Sequence, residues 1–221
     1  KERSKVIHSL DQYDSIVIGP GLGVGEVSRS VVVELINYYH GPIVLDADAL
    51  KVLSLEKDAT LLRERKSPTI LTPHIGEFSK FADIDKDEVL KAPIECLKRI
   101  VDQTGCLIIL KGACSYLGFP TGEIFINYYP NDGMASGGSG DVLAGIMGGM
   151  AAQKAPDKGK AGIFFDAGEF YKAVCFAVMA HTLAGKFAAE KYGKRAMTAG
   201  SIIESLSQAF FKMETISKEK L

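Results

Sequence analysis

Asn131-Asp132-Gly133-Met134-Ala135-Ser136-Gly137-Gly138-Ser139-Gly140-Asp141 runs straight into Val142-Leu143-Ala144-Gly145-Ile146-Met147, a glycine-dense loop that empties through one aspartate into an apolar helix. Gly137, Gly138 and Gly140 lack the Cβ atoms that would hold a ligand away from the backbone. The helix that follows turns free N–H groups and the positive end of its dipole toward the loop, which suits a phosphate or a phosphoryl group in transfer. A carboxylate at an anion site repels the anion. Asp141 makes chemical sense there as the base that takes a proton from a hydroxyl attacking the phosphoryl group. A plainer reading makes Asp141 an N-cap and the glycines a tight turn. The loop alone leaves both open, so the segments around it must decide.

Upstream, short apolar runs alternate with helical patterns. Ser15-Ile16-Val17-Ile18 reads as a strand opening into Gly19-Pro20-Gly21-Leu22-Gly23-Val24-Gly25, followed by a helix with Val31, Val32, Leu35, Ile36 and Tyr39 on one face. Gly41-Pro42 stops that helix. Ile43-Val44-Leu45 is a second strand and closes on Asp46-Ala47-Asp48-Ala49-Leu50. Thr69-Ile70-Leu71 is a third, ending at Thr72-Pro73-His74-Ile75-Gly76-Glu77. A helix from about Pro93 to Gln103 leads to a fourth strand, Cys106 to Leu110, and then to Lys111-Gly112-Ala113. This rhythm predicts an α/β fold with a mostly parallel sheet covered on both faces. Each polar or glycine-rich cluster follows a strand, at the end where open α/β sheets bind ligands.

Beyond Lys111 the pattern changes. Ser115 to Phe119 and Ile124 to Asn127 flank Pro120-Thr121-Gly122-Glu123, which predicts a small antiparallel hairpin that delivers the chain to the organising loop. After the Asp141 helix, Pro156 to Lys160 reads as a surface loop. Asp166 with Glu169 resembles a capping box opening a long helix through His181 to about Gly193, and Ser201 with Glu204 repeats that signature for a last helix.

The 221 residues form a single domain on this reading, with a sizeable core. Basic and acidic residues nearly cancel (26 against 27), so charge points to neither nucleic acid nor an anionic membrane as partner. The apolar runs are too short to span a bilayer. Cys96, Cys106, Cys114 and Cys175 are widely spaced, which suits reduced thiols in a cytoplasmic protein rather than a zinc site.

Five motifs, in order, resemble one family: Gly19-Pro20-Gly21-Leu22-Gly23, Leu45 to Leu50, Leu71 to Glu77, Leu110 to Ala113, and Gly137 to Gly145. They look like the ADP- or ATP-dependent NAD(P)H-hydrate dehydratases of the ribokinase-like superfamily, and the Gly-Gly-Ser-Gly-Asp-Val-Leu form looks more like the bacterial and archaeal branch, which prefers ADP. The resemblance covers nearly the whole chain and implies a three-layer α/β/α sandwich. It also implies a repair lyase: a nucleotide phosphorylates the 6-hydroxyl of NADH hydrate or NADPH hydrate, and loss of phosphate restores the dihydronicotinamide.

By position, the resemblance makes Asp141 catalytic and Gly138, Ser139 and Gly140 an anion hole. It places the nucleotide on Lys111, Gly112, Ala113, Cys114, Ser115 and Gly140, and the hydrate on Gly21, Gly23, His74 and Asp141. Asp46 and Asp48 end a strand facing the same site and are candidates to hold Mg²⁺ directly or through water, with loop capping as their alternative role. His181, in mid-helix among apolar residues, reads as a packed core histidine. The family resemblance further implies a homo-oligomer, such as a tetramer, and functional coupling to an NAD(P)H-hydrate epimerase.

Three departures stand out. Ile75 takes the place of a family proline, which loosens one turn and leaves His74 in position, and Asp132 does the same after Asn131. Only Lys1 to Asp14 precede the first strand, where family members carry a further strand with its own glycine turn, so the chain alone is expected to be unstable or to associate with a partner. Two rivals share the motifs: a ribokinase-like kinase of a small alcohol, which would release a stable phosphoester, and a non-catalytic nucleotide-binding subunit.

Overall fold

The computed structural model describes residues 9–155 and 166–219; the segment read as a surface loop, Pro156 to Lys160, lies outside them. Six strands form one sheet in sequence order: β1 (Ile16–Ile18), β2 (Ile43–Leu45), β3 (Thr69–Leu71), β4 (Leu107–Leu110), β5 (Ser115–Gly118) and β6 (Ile124–Asn127). The first four run parallel, with Ile16 opposite Ile43, Ile43 opposite Thr69 and Ile70 opposite Leu107. β4, β5 and β6 pair antiparallel, which is the hairpin expected from the turn at Pro120 to Glu123. β1 lies at the sheet edge, and Val17, Val24 and Val27 near it are exposed.

Sequential parallel strands joined by right-handed crossovers place every crossover helix on one face. That face carries α1 (Glu26–Tyr38), α2 (Asp48–Lys51), α3 (Leu55–Glu64), α4 (Ile75–Ala82), α5 (Lys86–Lys91) and α6 (Pro93–Thr104). It buries Ile43, Leu45, Leu71, Ile108 and Leu110 against Val32, Leu35, Ile36, Phe78, Leu97 and Ile100. The alternate strand positions, Val44, Ile70, Leu107 and Ile109, face the other way and pack on α7 (Ser139–Gln153) and α8 (Ala167–Tyr192) through Leu143, Met147, Phe170 and Val174. The period-two alternation of apolar residues therefore feeds two cores from one set of strands.

Several helix ends differ from the sequence reading. Val31 is exposed rather than part of the apolar face of α1, where Val32, Leu35 and Ile36 are buried. Asp166 does cap α8, accepting the Glu169 N–H at 3.0 Å. The last segment begins three residues before Ser201: Thr198 is the N-cap and Ser201 completes its capping box, opening α9 (Ala199–Glu204), with α10 (Leu206–Glu219) beyond Ser205. Four short helices between Asp48 and Lys91 escaped the sequence reading, because their apolar positions are interleaved with charge over too few turns to set a clear period.

Candidate active site

The loops after β1, β2, β3 and β4 all leave the same end of the sheet, and α7 points its N-terminus at them. Gly138 is the N-cap of α7 in the left-handed region (φ 85°), so Asp141 is the third residue of the helix and not its cap. The Ser139 N–H turns back to the Ser136 carbonyl (3.3 Å) and the Val142 N–H to that of Gly138 (3.0 Å). Among the described residues this leaves the Gly140 and Asp141 N–H groups without partners. A pair of free amides at the positive end of a fifteen-residue helix is an anion site.

Opposite these amides sits a charged pair. Lys111 Nζ donates to Asp46 Oδ1 at 2.8 Å, and the buried Thr72 hydroxyl donates to the same oxygen at 2.8 Å. Lys111 is held in register by its own N–H, which donates to the Pro73 carbonyl at 2.8 Å, so the ends of β3 and β4 are stitched together beyond the strands. Gly140 lets the helix approach this pair. A Cβ there would lie 3.3 Å from Lys111 Nζ and 4.0 Å from Asp46 Oδ2. Asp46 is in turn packed under the first loop, since a Cβ on Gly19 would fall 1.7 Å from the Asp46 carbonyl oxygen. Ala47, next in the chain, has φ 48°, a strained value for a residue with a side chain, at the point where β2 hands over to α2.

His74, Lys111, Gly112, Ala113, Ser115, Ser139 and Gly140 line one cavity of about 400 Å³, joined by Asn127, Asn131, Ser136, His181 and Thr182. Of the residues expected on the nucleotide, Cys114 alone is off this wall. Gly138 and Asp141 open on the other side of α7, into a separate groove of about 600 Å³ lined by Val142, Ile146, Met150, Ile203 and Phe210. Successive helical residues project about 100° apart, so Gly140 and Asp141 divide the two spaces between them. Gly21 and Gly23 line neither cavity; their loop is anchored to Asp48, whose Oδ2 accepts the Gly23 N–H at 2.9 Å.

The two aspartates expected at the metal have different partners. Asp48 gives its other oxygen to Lys51 at 2.8 Å, and these two bonds, Lys51 first, hold its carboxyl below the usual carboxylate range. Through these bonds Asp48 holds the first loop to the start of α2. Among the described residues no three His, Cys, Asp or Glu side chains gather as a metal site. Asp46 keeps Oδ2 turned toward Gly140, a donor set that fits a cation carried by phosphates rather than one caged by protein. His74 plays two parts: it lines the cavity and caps α4, its Nδ1 accepting the Glu77 N–H at 3.2 Å while Glu77 accepts the His74 N–H at 3.0 Å.

Sequence reasoning passed over Thr72 and Ser136 and took His181 for core. His181 is buried, but its Nε2 lies 2.9 Å from the Ser139 carbonyl oxygen and the ring borders the cavity. Burial, with Lys111 nearby, brings its pKa down to about 4, so the ring is neutral and donates from Nε2 to the first residue of α7. A polar side chain on the inner face of an apolar helix was the available signal.

Comparison with known proteins identifies the family and the fold. A family model described as NAD(P)H-hydrate dehydratase matches residues 1–208. The bifunctional NAD(P)H-hydrate repair enzyme of Moorella thermoacetica is 32% identical over 209 residues, 95% of this chain and 37% of that protein. The ADP-dependent (S)-NAD(P)H-hydrate dehydratase of Neisseria meningitidis is 33% identical over 157 residues, 66% of this chain and 53% of that one. The Bacillus subtilis ADP/ATP-dependent NAD(P)H-hydrate dehydratase, co-crystallized with ATP/Mg²⁺, superposes with a TM-score of 0.74 at 27% identity, over 90% of this chain and 64% of that one. The fold is the ribokinase-like α/β/α sandwich, and the chain belongs to the NAD(P)H-hydrate dehydratase family while spanning little more than a third of the Moorella relative.

Proposed function

We propose that this member of the NAD(P)H-hydrate dehydratase family returns NADH hydrate and NADPH hydrate to NADH and NADPH, with ADP or ATP as phosphoryl donor. The observation that carries the reading is the division of labour at α7: Gly140 shares a cavity wall with Lys111, and Asp141, the next residue, faces the opposite groove. A nucleotide phosphate held on the Gly140 side and a hydroxyl brought to Asp141 would meet across the free amides of the first turn.

In this mechanism Asp141 takes the proton of the 6-hydroxyl as its oxygen attacks the terminal phosphorus, and the bond to the nucleotide leaving group breaks. Of the expected anion hole, Gly138, Ser139 and Gly140, the Ser139 N–H is held by the Ser136 carbonyl. The free Gly140 amide, with that of Asp141 beside it, would therefore carry most of the stabilisation of negative charge on the transferring group. Lys111, Gly112, Ala113 and Ser115 on one cavity wall would hold the nucleotide. We assign the hydrate to Gly21 and Gly23 of the first loop and to His74, which borders that cavity at the end of β3. Phosphate then departs with the C6–O electrons, driven by the ring nitrogen lone pair, and loss of a proton from C5 restores the double bond. Mg²⁺ would be held by Asp46, directly or through water, together with the nucleotide phosphates, and would neutralise phosphate charge there. Among the described residues no helix is long and apolar enough to cross a membrane, and four free thiols favour a cytoplasmic setting. The bifunctional repair enzyme among the relatives supports a partner activity in the same repair, for which an NAD(P)H-hydrate epimerase is our candidate.

The test is incubation with NADH hydrate, Mg²⁺ and ADP or ATP while absorbance at 340 nm is followed, with Asp141→Ala in parallel. Recovery that needs nucleotide and falls by about 10²–10⁴-fold in the variant is the expected result. A stable phosphoester without recovered absorbance would instead identify a small-alcohol kinase.

A further inference from the structure

We propose that the Ser136 hydroxyl donates a hydrogen bond to a phosphate of the bound nucleotide. The assignment rests on reading the cavity beside Lys111 as the nucleotide site. Ser136 Oγ is shut away from solvent and has no hydrogen-bond partner, the one side-chain atom of that kind among the described residues. The buried Thr72 hydroxyl nearby, by contrast, donates to Asp46 at 2.8 Å. A hydroxyl removed from water and left unpaired is a cost that native structures seldom carry without a compensating use.

The position explains what would satisfy it. Ser136 ends the short 3₁₀ turn Asp132–Ala135 in an extended conformation, and its carbonyl is tied to the Ser139 N–H. The backbone is thus anchored to the anion loop while the side chain takes no part in the turn. Ser136 borders the same cavity as Lys111 and Gly140. It shares that wall with the Lys111 ammonium, which is paired with Asp46 Oδ1 at 2.8 Å, and with the free Gly140 amide at the positive end of α7. His181 adds no charge, because its ring is neutral, and its Nε2 proton is committed to the Ser139 carbonyl. A phosphate oxygen of a nucleotide bound at this wall is an acceptor of the kind the Ser136 hydroxyl lacks.

Calorimetric titration of the full chain with ADP and with adenosine, for wild type, Ser136→Ala and Ser136→Thr, tests this. Ser136→Ala should weaken ADP about tenfold and leave adenosine unchanged, and Ser136→Thr should retain ADP binding. Without nucleotide, Ser136→Ala should melt no lower than wild type, since no internal bond is lost, while its ADP-induced rise in melting temperature shrinks. Unaltered ADP affinity in Ser136→Ala would overturn the assignment and leave the hydroxyl to a water, as would equal losses for ADP and adenosine. A wild type that binds no ADP would defeat the nucleotide-site reading and this assignment with it. A wild type that binds ADP through Ser136 yet fails to restore NADH would defeat only the repair reaction.

Discussion

His181 Nε2 lies 2.9 Å from the carbonyl oxygen of Ser139, so the long helix α8 is pinned to the first residue of the helix that carries the anion site. Burial, the larger effect, outweighs the preference of a carbonyl bond for the protonated ring and, with Lys111 nearby, lowers the pKa from 6.5 to about 4. The folded protein therefore resists a proton that the unfolded chain accepts. Stability is full above about pH 6.5, falls as pH drops from 6.5 toward 4, and levels off below 4, with a total of about 3 kcal/mol from this group. Urea melts of wild type and His181→Gln between pH 7.5 and about pH 4.5 should show the steeper acid loss in wild type. Parallel curves would remove the assignment of that proton to His181.

Gly140→Ala separates folding from binding. Alanine is a better helix former than glycine by about 1 kcal/mol, so the melting temperature should hold or rise. The added methyl would sit 3.3 Å from Lys111 Nζ and on the approach to the free amides. Turnover should drop by about a hundredfold. Steady-state rates beside a thermal melt decide the matter, and an active, equally stable variant would move the phosphate elsewhere.

Asp48→Ala tests the clamp. Losing the bond to the Gly23 N–H frees the loop that precedes α1, while the Lys111 cavity keeps all its walls. The KM for the hydrate should rise about tenfold with ADP affinity unchanged. A matching loss of ADP affinity would return Asp48 to the metal or nucleotide site.

Much of this molecule was legible in its sequence because the relevant signals are local. Three- and four-residue apolar runs ending in glycine or polar clusters marked β1 to β4 and the end of the sheet where ligands gather. The turn at Pro120 to Glu123 marked the β5–β6 hairpin, and the glycines before Asp141 marked a helix start open to an anion. Family motifs named Lys111, His74 and Asp141 as members of one site. The structure brings Lys111 and His74 to one cavity, while Asp141 opens into the neighbouring groove. The short helices between Asp48 and Lys91 were not legible, since tertiary packing rather than a repeating apolar period holds them.

What only the tertiary structure decided is which of these groups meet, because that depends on contacts between residues far apart in the chain. Asp46 and Asp48 look equivalent in sequence, yet one pairs with Lys111 across 65 positions and the other with Gly23 across 25. His181 looks like core until Ser139, 42 positions away, is placed against its ring. Ser136 is one more polar loop residue until packing shuts its hydroxyl away from water. Local pattern sets the elements and the direction they face; desolvation and long-range contact set the charge, the partners and hence the chemistry of each side chain.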